Sequence, residues 1–256
     1  MIELNKIYNE DCLEGMKRIP NGSVDCIICD LPYGVLNKQS EGGGWDSIIP
    51  LEPLWEEYLR ITKPNAAIIL FGQGMFTAKL MMSNEKMWRY NITWNKKRTT
   101  GFLNAKKMPL KQTEIISVFY KEFPEYHPQM RKCLPHERNH SRGKLQGKQT
   151  NRCYGNFGKA EGVISDEKYP TDIIEFARNV HTSFHPVQKP VELIQYLIRT
   201  YSNEGDTILD NCMGSGTTAV AAWREKRNFI GFELNKEYYN KACKRIQLEL
   251  MQPTLF

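Results

Sequence analysis

Along most of the chain, short runs of apolar residues alternate with stretches whose apolar positions recur every three to four residues. A continuous apolar run bounded by turn residues predicts a strand buried on both faces; a 3.6-residue period predicts an amphipathic helix. Strands are therefore expected at 24–29 (VDCIIC), 66–71 (AAIILF), 90–94 (YNITW), 115–120 (IISVFY), 207–210 (TILD) and 228–232 (NFIGF). Helices are expected over 52–62, 75–83, 190–201, 216–226 and 236–249. The 190–201 helix opens on Pro190, whose missing N–H costs nothing in a first turn, and Ile194, Leu197, Ile198 and Tyr201 share one face. Strands alternating with helices argue for an α/β fold built on a mostly parallel sheet. No internal repeat or low-complexity tract interrupts it.

From about 121 to 184 the pattern stops. That stretch is rich in Pro, Gly, Asn, His and basic residues and is too long for an ordinary connection. It reads as an insertion with a recognition task, dividing the chain into 1–120, 121–184 and 185–256.

Charge sharpens that reading. The net charge is +6, but residues 95–160 hold 15 Lys and Arg against 4 acids, whereas the rest of the chain holds 20 against 25. Cations concentrated in one segment and interleaved with His, Asn, Gln, Tyr and Phe suit a surface that follows phosphates. No stretch of eighteen apolar residues occurs, so no membrane span is expected. The opening MIELNKIYNEDC has no secretory pattern, so a cytoplasmic location is expected. Seven cysteines are scattered along the chain. Cys26 and Cys29 have CxxC spacing, but they sit inside an apolar strand with no second pair nearby, so they read as buried thiols and no metal site is expected.

The strongest local signal is GDTILDNCMGSGTTAVAAWREKRNFIGFE, residues 205–233. A strand ends at Asp210, a turn follows through Gly214, Ser215 and Gly216, then a helix, then a strand that ends in Glu233. Glycines let the backbone turn sharply and approach a ligand, and the helix N-terminus aims free N–H groups at it. An acid at the tip of the next strand suits the two hydroxyls of a ribose. A Walker phosphate loop needs a Gly-Lys pair that is absent. A dinucleotide, S-adenosylmethionine and a tight turn with no ligand remain. Only 23 residues follow Glu233, too few for the further strands of a nucleotide-binding sheet. Those strands must come from the N-terminal half, which makes the domain circularly permuted.

The second signal is VDCIICDLPYG, residues 24–34, a buried strand that ends in an acid, a proline, an aromatic ring and a glycine. Together with the glycine loop it resembles the β-class amino DNA methyltransferases, most closely the adenine-specific members of phages and prophages. The resemblance covers about residues 5–250. It implies a Rossmann-like, circularly permuted, mostly parallel seven-stranded sheet with an inserted target-recognition region, and S-adenosyl-L-methionine as cofactor. DLPYG matches the family's catalytic [DNS]PPY motif. The resemblance implies that Asp30 and the carbonyl of Leu31 accept the two amino hydrogens of a flipped adenine, that Pro32 stiffens the turn, and that Tyr33 stacks on the base. Leu31 stands where proline is usual; any residue supplies a carbonyl.

Further matches carry further implied roles. Tyr8–Cys12 resembles the family's GDCL segment, so Asp11 would meet the cofactor's adenine amino group and Cys12 would offer its N–H. His185-Pro186-Val187-Gln188-Lys189-Pro190 resembles HPxQKP, so Lys189 would meet the cofactor's carboxylate. Asp210 would face its ammonium, Gly214, Ser215 and Gly216 would cradle it, and Glu233 would take the ribose hydroxyls. Gly42–Asp46 reads as a loop that orders on DNA. Arg131, Arg138, Arg142 and Arg152 are candidates for base or phosphate contacts. The implied function is adenine-N6 methylation of double-stranded DNA. Cytosine-N4 methylation, a non-catalytic nucleic-acid-binding protein retaining the fold, and a dinucleotide-dependent oxidoreductase are the alternatives. The resemblance also admits a homodimer and a cognate restriction endonuclease encoded elsewhere.

Overall fold

The computed structural model describes residues 2–34, 46–133, 150–151, 155–156, 166–177 and 188–251. The chain forms two compact units, Met1–His127 with Asp172–Phe256, and Pro128–Thr171. The first unit runs β1 (Lys6–Tyr8), α1 (Cys12–Met16), β2 (Val24–Cys29), α2 (Leu51–Ile61), β3 (Thr62–Gly72), α3 (Met75–Ser83), β4 (Trp88–Thr100) and β5 (Lys111–Phe119). Within the second unit, β6 (Arg131–Lys132) pairs antiparallel with β9 (Glu167–Lys168), and β7 (Thr150–Asn151) with β8 (Gly155–Asn156). The chain then rejoins the first unit as β10 (Ile173–Glu175), α4 (Val191–Tyr201), β11 (Thr207–Asp210), α5 (Thr217–Arg224), β12 (Asn228–Phe232) and α6 (Lys236–Met251).

One sheet has the order β1-β12-β11-β2-β3-β5-β4-β10. It is parallel except where β5 runs antiparallel to β3 and β4. All six strands expected from the apolar runs are present, and β1 and β10 add two short edge strands, so the described sheet has eight strands against the seven implied. Each edge strand is three residues long, too short to leave a pattern.

The central strands are buried on both faces. In β2, Cys26 and Ile28 point into one core cluster, and Val24, Ile27 and Cys29 into the other. A register irregularity between Val24 and Cys26 sets Val24 apart, and from Cys26 to Cys29 the alternation follows the two-residue period of a strand. It also sends the two CxxC sulfurs to opposite faces of the sheet, where burial raises both thiol pKa values, that of Cys29 to about 12. Helices α1, α2 and α3 cover one face through Met16, Leu54, Tyr58 and Leu80. Helices α4, α5 and α6 cover the other through Leu197, Ala221 and Ile246. Each large apolar side chain so enclosed contributes about 1.5–3 kcal/mol.

The permutation expected from chain length is seen directly: β11 and β12, late in sequence, are inserted between β1 and β2, early in sequence. Strand order reverses direction between β11 and β2. In an open α/β sheet that reversal leaves a crevice beyond the carboxyl ends of the two strands.

Candidate active site

Asp30 follows the last residue of β2, and Asp210 is the last residue of β11, its parallel neighbour. The two acids therefore emerge side by side at the crevice. A cavity of about 540 Å³ opens there, within the range of small-molecule sites. Asp30, Leu31, Pro32, Tyr33, Asp11, Cys12, Lys189, Asp210, Gly214, Ser215 and Glu233 all line it. The apolar wall includes Ile28, Phe71, Trp94 and Ile194.

The DLPY segment forms a preset acceptor. The Tyr33 hydroxyl donates to Asp30 Oδ1 at 2.5 Å, and Lys189 Nζ donates to Oδ2 at 2.5 Å. A carboxylate has about four lone-pair sites, so both oxygens can still accept from a ligand. Burial, then the charge of Asp30, pushes the Tyr33 phenol pKa well up, so the ring stays a neutral donor. Its face packs on Phe76 with centroids 5.0 Å apart. The Gly34 N–H donates to the buried Asp46 Oδ1 at 3.0 Å, which ties the end of the motif down. Leu31 buries its side chain, and no hydrogen bond among the described residues uses its carbonyl.

Lys189 lines the cavity and also has protein partners that its motif did not imply. Its ammonium is buried between Asp30 and Glu114, 3.3 Å from Glu114 Oε2, and lies 5.0 Å from the centroid of Phe71. Burial alone would lower its pKa, but the two carboxylates outweigh that and raise it. Glu114 also accepts from the buried Lys96 at 3.2 Å. Burial pushes Glu114 up, and the two ammonium groups overcome it and hold the carboxyl below its ordinary range. Glu114 on β5 and Lys96 on β4 gave no motif signal; both lie at the polar ends of strands whose apolar centres alone were legible.

The glycine loop is fixed from three sides. Gly216 has φ +74° and caps α5; an added Cβ would lie 3.1 Å from the Ala242 Cβ on α6. Gly216 is not among the residues that line the cavity; the left-handed turn and close packing on α6 are what require glycine there. Arg245 of α6 donates to the Ser215 carbonyl at 3.0 Å. The Gly214 N–H donates to Glu233 Oε2 at 2.8 Å, and the Asn235 N–H to Oε1 at 2.7 Å. Burial raises the Glu233 pKa against those two donors.

Asp210 is more committed than its implied role assumed. Thr218 Oγ1 donates to Oδ2 at 2.6 Å, and the Cys212 N–H to Oδ1 at 3.0 Å. Burial lifts its pKa to about 6 despite both donors. Asp11 caps α1, accepting from Leu13 and Glu14 N–H groups at 2.8 and 3.3 Å, while it also lines the cavity. Cys12 is buried behind it, its sulfur 3.6 Å from Asn211 Nδ2, and Tyr58 holds Asn211 Oδ1 at 2.6 Å. Asn211 and Tyr58 were not foreseen; an Asn next to a strand-end acid looks like any turn residue.

Gln188 lines the cavity with its Oε1 buried and without a partner among the described residues. An orphaned acceptor at a cavity wall calls for a donor from a ligand. Arg131 lies in β6 of the second unit. Gly42–Trp45, His185–Val187, Arg138, Arg142 and Arg152 lie outside the described residues. Among the described residues no group of His, Cys, Asp and Glu is arranged to hold a metal ion, and no helix is long and apolar enough to cross a membrane.

This chain is similar throughout its length to several known proteins. It is 27% identical to the type II methyltransferase M1.MboII of Moraxella bovis, over 94% of this chain and 96% of that protein. It is 26% identical to the DNA adenine methyltransferase YhdJ of Escherichia coli K12, over 96% and 84%. The fold matches the crystal structure of the M1.HpyAVI–SAM complex with a TM-score of 0.61 at 23% identity, over 94% of this chain and 98% of that one. It also matches the cytosine-N4-specific PvuII DNA methyltransferase with a TM-score of 0.65 at 16% identity, over 98% and 88%. The profile of the DNA methylase family, N6_N4_Mtase, matches residues 24–244. With that match spanning most of the chain, from the strand that carries Asp30 to the helix that buttresses the glycine loop, the protein belongs to the N6/N4 DNA methylase family.

Proposed function

We propose that the protein transfers a methyl group from S-adenosyl-L-methionine to the exocyclic N6 of an adenine flipped out of double-stranded DNA. The observation that carries this reading is the Asp30 carboxylate, held by Tyr33 and Lys189 at the mouth of the cavity that also contains the glycine loop and Glu233. The donor set fits the cofactor. Glu233 matches ribose hydroxyls, Asp11 an adenine amine, and the orphaned Gln188 Oε1 with Asp210 an ammonium group. When bound, the cofactor supplies a methyl group on a positively charged sulfur.

The chain's own residues treat the amine. Its nitrogen lone pair is delocalised into the purine ring, which makes it a poor nucleophile. Asp30 and the Leu31 carbonyl each accept one N–H, drawing the lone pair back onto nitrogen, and Asp30 stands ready for the proton released after transfer. Tyr33 offers a ring face to the base, and Lys189 keeps Asp30 oriented. Double-stranded DNA is the partner, gripped through the basic stretch that begins near residue 95. The type II names of relatives such as M1.MboII favour a cognate endonuclease.

The test is nucleoside analysis, with site mapping, of DNA from cells expressing the protein. N6-methyladenine at one short word is the expected result. N4-methylcytosine alone would replace adenine by cytosine as the target, an outcome to which the same Asp30 chemistry applies. In vitro, Asp30→Ala should retain cofactor binding and lose transfer by about 100-fold or more; activity within a few-fold of the parent refutes the assigned chemistry.

A further inference from the structure

β4 and β5 outrun the sheet. Gly72, the last residue of β3, pairs with Ile115, and Ile115 pairs with Thr93. β10 flanks β4 as far as Asn95, so residues 96–100 and 111–114 continue past the carboxyl edge at which Asp30 sits. Trp94 and Glu114 at the base of this extension line the cavity. At ~3.4 Å per residue, β5 carries the chain roughly 10 Å beyond Glu114 on the arm, which re-pairs at Thr100 and Lys111 after a register irregularity.

The arm ends in a built tip. Gly101 (φ +87°) starts a 3-10 turn over Phe102–Asn104, closed by Asn104 N–H to Gly101 O at 2.9 Å and Lys107 N–H to Asn104 O at 2.8 Å. On this ordered turn Phe102 is 81% exposed and Leu103 94% exposed. Four cations flank them: Arg98, Lys106, Lys107 and Lys111. None of the four forms an ion pair among the described residues, whereas Lys96 and Lys97 at the base are matched by Glu114 and Glu175. Two bare apolar side chains at the end of this arm bury nothing in the fold. The unmatched cations around them select a polyanion.

We propose that this hairpin is a wedge for duplex DNA: Phe102 and Leu103 enter the base stack beside the target, while Arg98, Lys106, Lys107 and Lys111 hold the phosphates on either side. The inference rests on the reading of the site as one that acts on a flipped base. Extruding a base leaves a gap and costs stacking, and an apolar side chain inserted at the step compensates for it. The arm rises from the wall of the cavity that would receive the base.

The experiment uses the full chain and a duplex carrying the mapped site, in two forms: target fully paired, and target opposite an abasic position, already loosened. The Phe102→Ala/Leu103→Ala variant should transfer methyl to the paired duplex at least about tenfold more slowly, and to the loosened duplex within about threefold of the parent. Equal rates on the paired duplex, or equal losses on both, overturn the proposal. In parallel, the indole of a Phe102→Trp variant should be quenched when the paired duplex binds. Unchanged emission in a complex seen by anisotropy also overturns it. This readout needs no turnover, so failure of the wedge is separable from failure of the transfer reading. If the double variant alters only the sedimenting mass, the tip is a contact between copies, and the wedge is refuted.

Discussion

Asp30 does not act alone; its carboxylate is one end of a chain of alternating charges, Asp30, Lys189, Glu114 and Lys96. Removing the central cation leaves two carboxylates facing each other in a partly buried site, which drives one to take up a proton. Lys189→Met should therefore lower kcat by about tenfold or more near neutral pH and move the acid limb of the rate profile upward. Lys189→Arg should recover part of the loss. A large rise in KM for S-adenosylmethionine with kcat unchanged would instead return Lys189 to the cofactor's carboxylate, the role implied by its motif. Asp210 makes an opposite kind of statement. Burial raises its pKa from 3.8 to about 6, so between those values the folded protein binds more protons than the unfolded chain. Its contribution to stability is then highest below the lower value and falls as pH rises through the window, by ~3 kcal/mol at most. Asp210→Asn should flatten that part of a denaturation-against-pH curve, and an unchanged slope would place its origin in another group. The acids that end strands were legible in sequence because each closes an apolar run. Glu114 and Lys96 were not, because a charge two or three strands away is joined to the site only by the register of β4 and β5.

Elements with an apolar period declared themselves: α2, α3 and α4 begin and end within one residue of expectation, and every strand of the buried centre was found. The misses share a cause. β1, β10 and α1 are three to five residues long, and their form comes from docking on neighbours, as when the Glu233 N–H donates to the Tyr8 carbonyl at 2.9 Å. The ends of β4 and β5 are polar and leave the core, so hydrophobic pattern stops where the strands do not. The element on which the site most depends is the turn into α5. Gly216→Ala must hold a Cβ at φ +74° and push Ala242 back from 3.1 Å. Strain and overpacking together should cost about 2–4 kcal/mol, read as an earlier denaturation midpoint at unchanged slope. Gly22 also has positive φ, at +59°, but meets nothing within 4 Å, so Gly22→Ala should cost less, about 1 kcal/mol.

At the scale of the molecule, the permuted order means that neither end of the chain can build the site alone: β11 and β12 complete a sheet begun by β1 and β2. On the proposed reading, the cavity is assembled from a cofactor side, with Glu233 and the glycine loop, and a substrate side, with Asp30 and Tyr33, that meet only in the folded whole. A ligand held by the folded state alone stabilises it by RT ln(1 + [L]/Kd), about 2.7 kcal/mol at a hundredfold excess over Kd. For a protein of this size that is a rise in melting temperature of roughly 5–10 °C. S-adenosylmethionine at such a concentration should give this shift in the parent and in Asp30→Ala, whose loss lies on the substrate side. Glu233→Ala should abolish most of it, since the variant removes both the proposed ribose acceptor and the anchor of the Gly214 N–H. The comparison separates two ways of being inactive that a methylation assay merges. If Asp30→Ala lost the shift and Glu233→Ala kept it, the division of the cavity into those two sides would be reversed.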